Sequence, residues 1–111
     1  MTVRLIALFE QPADPAAFDT HYREIHTPIV RRYPGIRELR LTHVTPVGPR
    51  STPYYLQAEM LFDTRRDLDA ALVSEAGTES ARDLRNFAMA GVTLYAVDDD
   101  ATESVNAVTD G

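Results

Sequence analysis

The chain opens on "VRLIALF", Val3 to Phe9, which is apolar at nearly every position. A β-rich run with apolar residues on both faces predicts a central, doubly covered strand. "QPADPAAF" breaks that run and starts a helix, with Asp14 as N-cap and Pro15 at the first helical position, where its missing N–H costs nothing. Phe18, Tyr22, Ile25 and Ile29 follow at i, i+4 and i+7 spacing and predict the buried stripe of a helix ending near Tyr33. "PG" at Pro34 and Gly35 stops it.

"IRELRLTHV" then alternates, with Leu39, Leu41 and His43 on one face and Glu38, Arg40 and Thr42 on the other, and reads as a second strand. "TPVGPRSTP" is too long and stiff for a two-residue hairpin turn. "YYLQAEMLF", Tyr54 to Phe62, alternates again, Leu56, Ala58, Met60 and Phe62 opposite Tyr55, Gln57, Glu59 and Leu61, and should pair with the second strand. If His43 lies opposite Leu56, that register sets Arg40 opposite Glu59 and Thr42 opposite Gln57. Thr64 with Asp67 resembles a capping box, Ser74 is a second cap, and Ala81, Leu84 and Phe87 mark another apolar helical stripe. "GVTLYAV", Gly91 to Val97, closes the set as a fourth strand.

The order β-α-β-β-α-β, with its second crossover split in two, predicts an α+β ferredoxin-like sandwich: a four-stranded antiparallel sheet with helices on one face. The domain is expected over residues 1–97, and "DDDATESVNAVTDG", residues 98–111, as an acidic flexible tail with too few apolar residues to offset its ordering entropy. The uncovered sheet face mixes Arg4, Glu38, Arg40, Thr42, Gln57, Glu59, Thr93 and Tyr95 with Ile6, Leu8 and Leu61. That apolar share is large for a sheet in water and fits half of a dimer interface.

Composition narrows the chemistry. No cysteine means no disulfide, no thiolate nucleophile and no cysteine metal ligand. A net charge of −6 and the absence of a basic stripe argue against a nucleic-acid partner. No apolar run approaches the ~18 residues of a membrane span, and the N-terminus lacks a signal-peptide cleavage pattern, so a cytoplasmic location is expected. The phosphate-cradle, dinucleotide, nucleophile-elbow and HExxH motifs are all missing from the sequence.

Two of the three histidines and a tyrosine fall together in "HYREIHTPIV", His21 to Val30. In a regular helix His21 and His26 sit roughly 140° apart, too far to share a face, so a metal pair is not expected. His26 falls at the edge of the buried stripe one turn from Tyr22, placed to act as a general base or to hydrogen-bond a ligand between helix and sheet. A half-buried structural histidine fits the same pattern. Pro28 predicts a kink beside His26. His43, on the helix-facing side of its strand, is expected to point towards His26, whereas His21 lies on the wetter edge of its helix. Arg82 and Asp83 read as a solvated helix face, and Asn86 as a helix-end cap.

Two long stretches, "LIALFEQPADPAAFDTHYREIHTPIVRRYPGIRELR" and "YYLQAEMLFDTRRDLDAALVSEAGTESARDLRNFAMAGVTLYAV", resemble the EthD family of small dimeric α/β-barrel proteins. The most specific parts are "FDTHYREIHTPIV" and "SEAG…DLRNFAMAGVTL"; where the family commonly has two glycines, this chain has Ala90 and Gly91. The resemblance implies two ferredoxin-like protomers packed sheet to sheet, with Arg40, Glu59 and Tyr95 in the interface, and a ligand cavity between sheet and helices. It also implies His26 as the first site residue, framed by Tyr22 and Pro28, with Phe18, Ile29, Phe87 and His43 around the same cavity.

These features lead to a first expectation: an enzyme of catabolism or secondary metabolism, without cofactor, moving protons on an aromatic or polyketide-like small molecule in cyclisation, dehydration, isomerisation or oxygenation. His26, Tyr22 and His43 would be its catalytic residues. A non-catalytic small-molecule-binding accessory protein is the alternative. A haem protein with His26 or His43 as axial ligand is a third.

Overall fold

The computed structural model of the protein describes residues 2–105. Its strands are β1 (Val3–Glu10), β2 (Glu38–His43), β3 (Tyr54–Phe62) and β4 (Val92–Asp98), all antiparallel in the order β2-β3-β1-β4. The apolar run of β1 is thus one of the two inner strands. The helices are α1 (Pro15–His21), α2 (Thr27–Arg31), α3 (Arg65–Val73) and α4 (Glu75–Phe87), with a π-helical segment, Tyr22–His26, joining α1 to α2. This is the ferredoxin-like α+β sandwich.

The caps lie at the residues with the right chemistry. Asp14 accepts from the Ala17 amide with Pro15 just behind it, Thr64 accepts from Asp67, and Ser74 accepts from Gly77. The β2–β3 register pairs His43 with Leu56, Thr42 with Gln57 and Arg40 with Glu59, as the alternation of the two strands predicts.

Alternate residues of β1 (Val3, Leu5, Ala7, Phe9) and β3 (Leu56, Ala58, Met60, Phe62) are buried against the helices, where Phe18, Tyr22, Val30, Tyr33, Leu68 and Ala71 meet them. Burying each large apolar side chain contributes about 1.5–3 kcal/mol. Ile6 is buried on the opposite face, between Glu59 and Tyr95.

Three details depart from the simple pattern. The β1–β3 register slips between Phe9 and Glu10, so Tyr55 is an unpaired bulge residue. Its ring meets Phe18 and its hydroxyl donates to Asp19, so Tyr55 lies on the helix side and not among the interface-facing residues. Ile25, expected in the buried stripe, is 49% exposed. The start of the acidic tail is held in place: β4 runs to Asp98, and Asp99 bonds Thr2 and Arg4. Residues 106–111 of that tail lie outside the described residues.

Helices α3 and α4 meet at Gly77, where an added Cβ would run into the Ala71 carbonyl oxygen and lie 2.5 Å from that of Leu72. Backbone cannot retreat as a flexible side chain can. Gly77→Ala should therefore cost roughly 1–3 kcal/mol, as overpacking does, read as a lower denaturation midpoint in urea. An unchanged midpoint would show that the two helices separate freely.

Candidate active site

The site begins with the proline. Pro28 has no N–H, so the Glu24 carbonyl has no α-helical donor, and the turn before it widens: the Thr27 amide bonds the Tyr22 carbonyl, five residues back. A turn closed over five residues stacks residue i on residue i+5. His21 and His26, which a regular helix would hold well apart, come round to the same side. The register change also exchanges Ile25 for His26 on the buried face.

Both histidines bond one carboxylate. Nδ1 of His26 is 2.9 Å from Oδ2 of Asp83, and Nε2 of His21 lies 2.9 Å from Oδ1 and 3.1 Å from Oδ2. Asn86 donates to the same group from one turn along α4, Nδ2 to Oδ1 at 3.0 Å. Asp83, expected on a solvated face, is only 6% exposed, and Asn86 binds that carboxylate while Ala88 takes the C-cap position.

Burial alone would raise the Asp83 carboxyl, but hydrogen bonds from Asn86, His26 and His21 outweigh it and hold it below its usual range. His26 is 3% exposed, and that burial lowers its pKa below 6.5 even though Asp83 acts in the other direction. A neutral His26 donates Nδ1–H to Asp83, which leaves Nε2 as the unprotonated nitrogen, the arrangement of a general base. Ser80 Oγ stands 3.4 Å from that nitrogen.

His26 lines a cavity of about 230 Å³ between β1, β3, β4 and the helices, with Tyr22 and Tyr33 as its other phenolic or ionisable members. Leu5, Ala7, Phe9, Met60 and Leu84 make most of the remaining wall apolar. At its edge Leu94 is 53% exposed. Burial pushes the Tyr22 phenol far above its ordinary value, so it stays a hydrogen-bond donor at any working pH.

Phe18 and Phe87 belong to the aromatic cluster around these groups: Phe87 lies 4.8 Å from the His21 ring and 4.9 Å from that of His26, centroid to centroid, and Phe18 lies 5.2 Å from Phe87. Ile29 is buried but does not line the His26 cavity. His43 does not join it either: it is exposed at the end of edge strand β2, against the Tyr55 ring, with Nε2 3.8 Å from Asp19. Its position at the strand end outweighs its helix-facing register.

His21, expected on the wetter edge of its helix, borders a separate groove. Asp83 escaped the sequence reading because Glu75, Glu79, Arg82 and Arg85 make α4 look uniformly solvated. The one available signal was Ala76, Ser80, Asp83 and Phe87, which share a helical stripe of small and aromatic residues.

Among the described residues no group of three or more His, Asp or Glu is placed to hold a metal ion, since the imidazoles bond the carboxylate directly. The His26 cavity, about 230 Å³, is too small for a macrocycle, and among the described residues His43 lines no cavity, so the residues do not fit an axial haem ligand. Among the described residues no helix is long and apolar enough to cross a membrane.

The EthD domain model matches residues 10–91. An EthD family protein from Bacillus halodurans C-125 is 36% identical, covers 89% of this chain and 99% of its own, and superposes with a TM-score of 0.83. An uncharacterised 11.0 kDa protein from the thcB-thcC intergenic region of Rhodococcus erythropolis is 31% identical over 97 residues, 87% of this chain and 94% of its own. A point mutant of SnoaB, a cofactor-independent oxygenase from Streptomyces nogalater, shares the fold at 17% identity, with a TM-score of 0.65 over 91% of this chain and 95% of its own. Further fold neighbours, from Bacteroides fragilis and Jannaschia, are described as dimeric ferredoxin-like proteins of unknown function.

The pKa shifts set a pH dependence. His26 takes up a proton less readily folded than unfolded, so stability falls as pH drops from 7 through 6.5 towards 5. Asp83, held below 3.8, stabilises fully above that value and ceases to do so only as pH falls through its lower folded pKa. Thermal midpoints should therefore fall between pH 7 and 5 in the wild type and fall less in His26→Gln. Equal slopes in the two proteins would mean that His26 is not held neutral. Asp83→Asn should lose about 1–3 kcal/mol at pH 7, measured by urea unfolding, because a buried imidazole loses its charged partner.

Proposed function

The chain belongs to the EthD family, and from that premise we propose that it is a cofactor-independent enzyme that binds a small carbonyl or enol compound in the His26 cavity and moves a proton on it. The observation that carries this reading is the buried His26–Asp83 pair: an imidazole with one nitrogen fixed by a carboxylate and the other beside the Ser80 hydroxyl, on a ring that lines an apolar cavity. Proton abstraction next to a carbonyl needs a base of this kind and a donor for the developing oxyanion. Tyr22, protonated and in the same cavity, supplies the donor. Cyclisation, dehydration and isomerisation all share that step, and the description of one fold neighbour as a cofactor-independent oxygenase supports a reading without a cofactor.

We also propose a homodimer through the open sheet face, with Arg40, Glu59 and Tyr95 in the interface. Tyr95 is 43% exposed and Val97 lies beside it, next to the ion pair of Arg4 with Asp99. A second sheet would cover both. The dimeric description of two fold neighbours supports this assembly.

Calorimetry of wild type, His26→Ala and His26→Gln against a panel of small aromatic and polyketide-like acids and ketones tests the site. A ligand that binds wild type should lose at least tenfold in affinity, about 1.4 kcal/mol, and all conversion in both variants, while they remain folded. Binding retained with conversion absent in all three proteins would favour the accessory-protein reading. Unchanged binding with a lower melting point would make His26 a core residue. Light scattering at micromolar concentration should give twice the 12.4 kDa chain mass, and Tyr95→Arg should shift it towards one chain. A wild-type monomer would remove the interface.

A further inference from the structure

The His26 cavity, about 230 Å³, falls below the roughly 300–1,000 Å³ of pockets that hold drug-sized ligands. A groove of about 630 Å³ lies on the other side of Phe87, between the β1–α1 connection and the end of α4. Its wall is mainly apolar, including Ala17, Phe18, Phe87 and Met89, and Gln11, Asp14, His21 and Asn86 are its polar members. Phe87 stacks on His21, the planes inclined by 23°, while its ring also packs near His26 and Tyr22 of the inner cavity. Phe87 lines the groove and not the inner cavity, and the two spaces share no lining residue.

His21 is built into this groove in a defined state. Asp83 takes its Nε2, and among the described residues its Nδ1 has no hydrogen-bond partner, while its side chain is 25% exposed. With Nε2–H on the carboxylate, Nδ1 of the neutral ring is the acceptor. Asp83 is itself held by Asn86 and His26, so the ring cannot swing away without breaking the shared array.

We infer that this groove is a second ligand-binding compartment, separate from the His26 cavity, that takes a flat aromatic molecule carrying a phenolic or enolic hydroxyl. The ring lies along Phe18 and Phe87, and the hydroxyl donates to Nδ1 of His21. This goes beyond the proton-transfer reading of the inner cavity and does not require it.

The probe is 2-naphthol, followed by its own fluorescence and by the imidazole carbon signals of protein labelled with 13C-histidine. Saturable binding that shifts the His21 signals is expected. Ala13→Trp and Ala17→Trp, two exposed positions on the groove wall, should each weaken it at least tenfold with the melting point and the His26 signals unchanged. Ala81→Phe, which sets a large ring on the exposed rim of the inner cavity instead, should change it less than threefold. Loss in Ala81→Phe alone would place the probe in the inner cavity and overturn the groove while leaving the proposed function standing. Loss in all three variants would show one continuous cavity and overturn a separate compartment. No saturation at millimolar 2-naphthol, or saturation that none of the variants weakens, overturns it as well. If the tryptophan variants fail to fold, His21→Gln provides the same reading: its loss of binding is expected and wild-type affinity is not.

Discussion

Pro28 cannot donate a backbone hydrogen bond, and the helix answers by closing the preceding turn one residue wider, from Thr27 to Tyr22. The rest of the site depends on that turn. Without it, His26 would lie beside the buried stripe and His21 well round the helix from it; with it, both rings reach Asp83 across the α1–α4 contact. Ile25, which would otherwise be buried, turns to solvent as the compensating change.

The shared carboxylate is costly to place. Asp83 is nearly as buried as the residues around it, and an isolated carboxylate there would be several kcal/mol uphill. Three donors offset that: two imidazoles and the Asn86 amide. Such a network is stable when complete and weak when any member is removed, because the others then keep their desolvation without their partner. The aromatic cluster of Phe9, Phe18, Tyr22 and Phe87 lies beside it with edge-to-face, tilted and stacked contacts of 5.2 to 6.0 Å, and Phe87 packs against both imidazoles.

The sheet serves this arrangement from below. β1 and β3 present an apolar surface to the helices, and the buried polar side chains among the described residues, His26, Thr27, Ser80 and Asp83, are all carried by the π segment, α2 and α4. The bulge at Tyr55 bends one end of that surface and sends a tyrosine towards Asp19, which keeps His43 with its own partners at the edge. Two histidines of the three are thus gathered at one carboxylate, and the third is kept apart by the local geometry of a strand end.

The order of elements, the helix caps, the strand register and the apolar faces were all legible in the sequence, because each depends on near neighbours: Asp14 before Pro15, Thr64 before Asp67, Leu39 alternating with Glu38 and Arg40. His26 and Tyr22 could be singled out for the same reason, being one turn apart on a single segment. The partner that defines them could not. Asp83 lies 57 residues beyond His26 in the chain and sits among charged neighbours on its own helix, so no local pattern distinguishes it. The π turn was equally hidden, since Pro28 predicts a kink but not which carbonyl the freed turn will choose. Tertiary packing made that choice: burying His26 against Asp83, and exposing Ile25, gives the buried carboxylate a second imidazole donor.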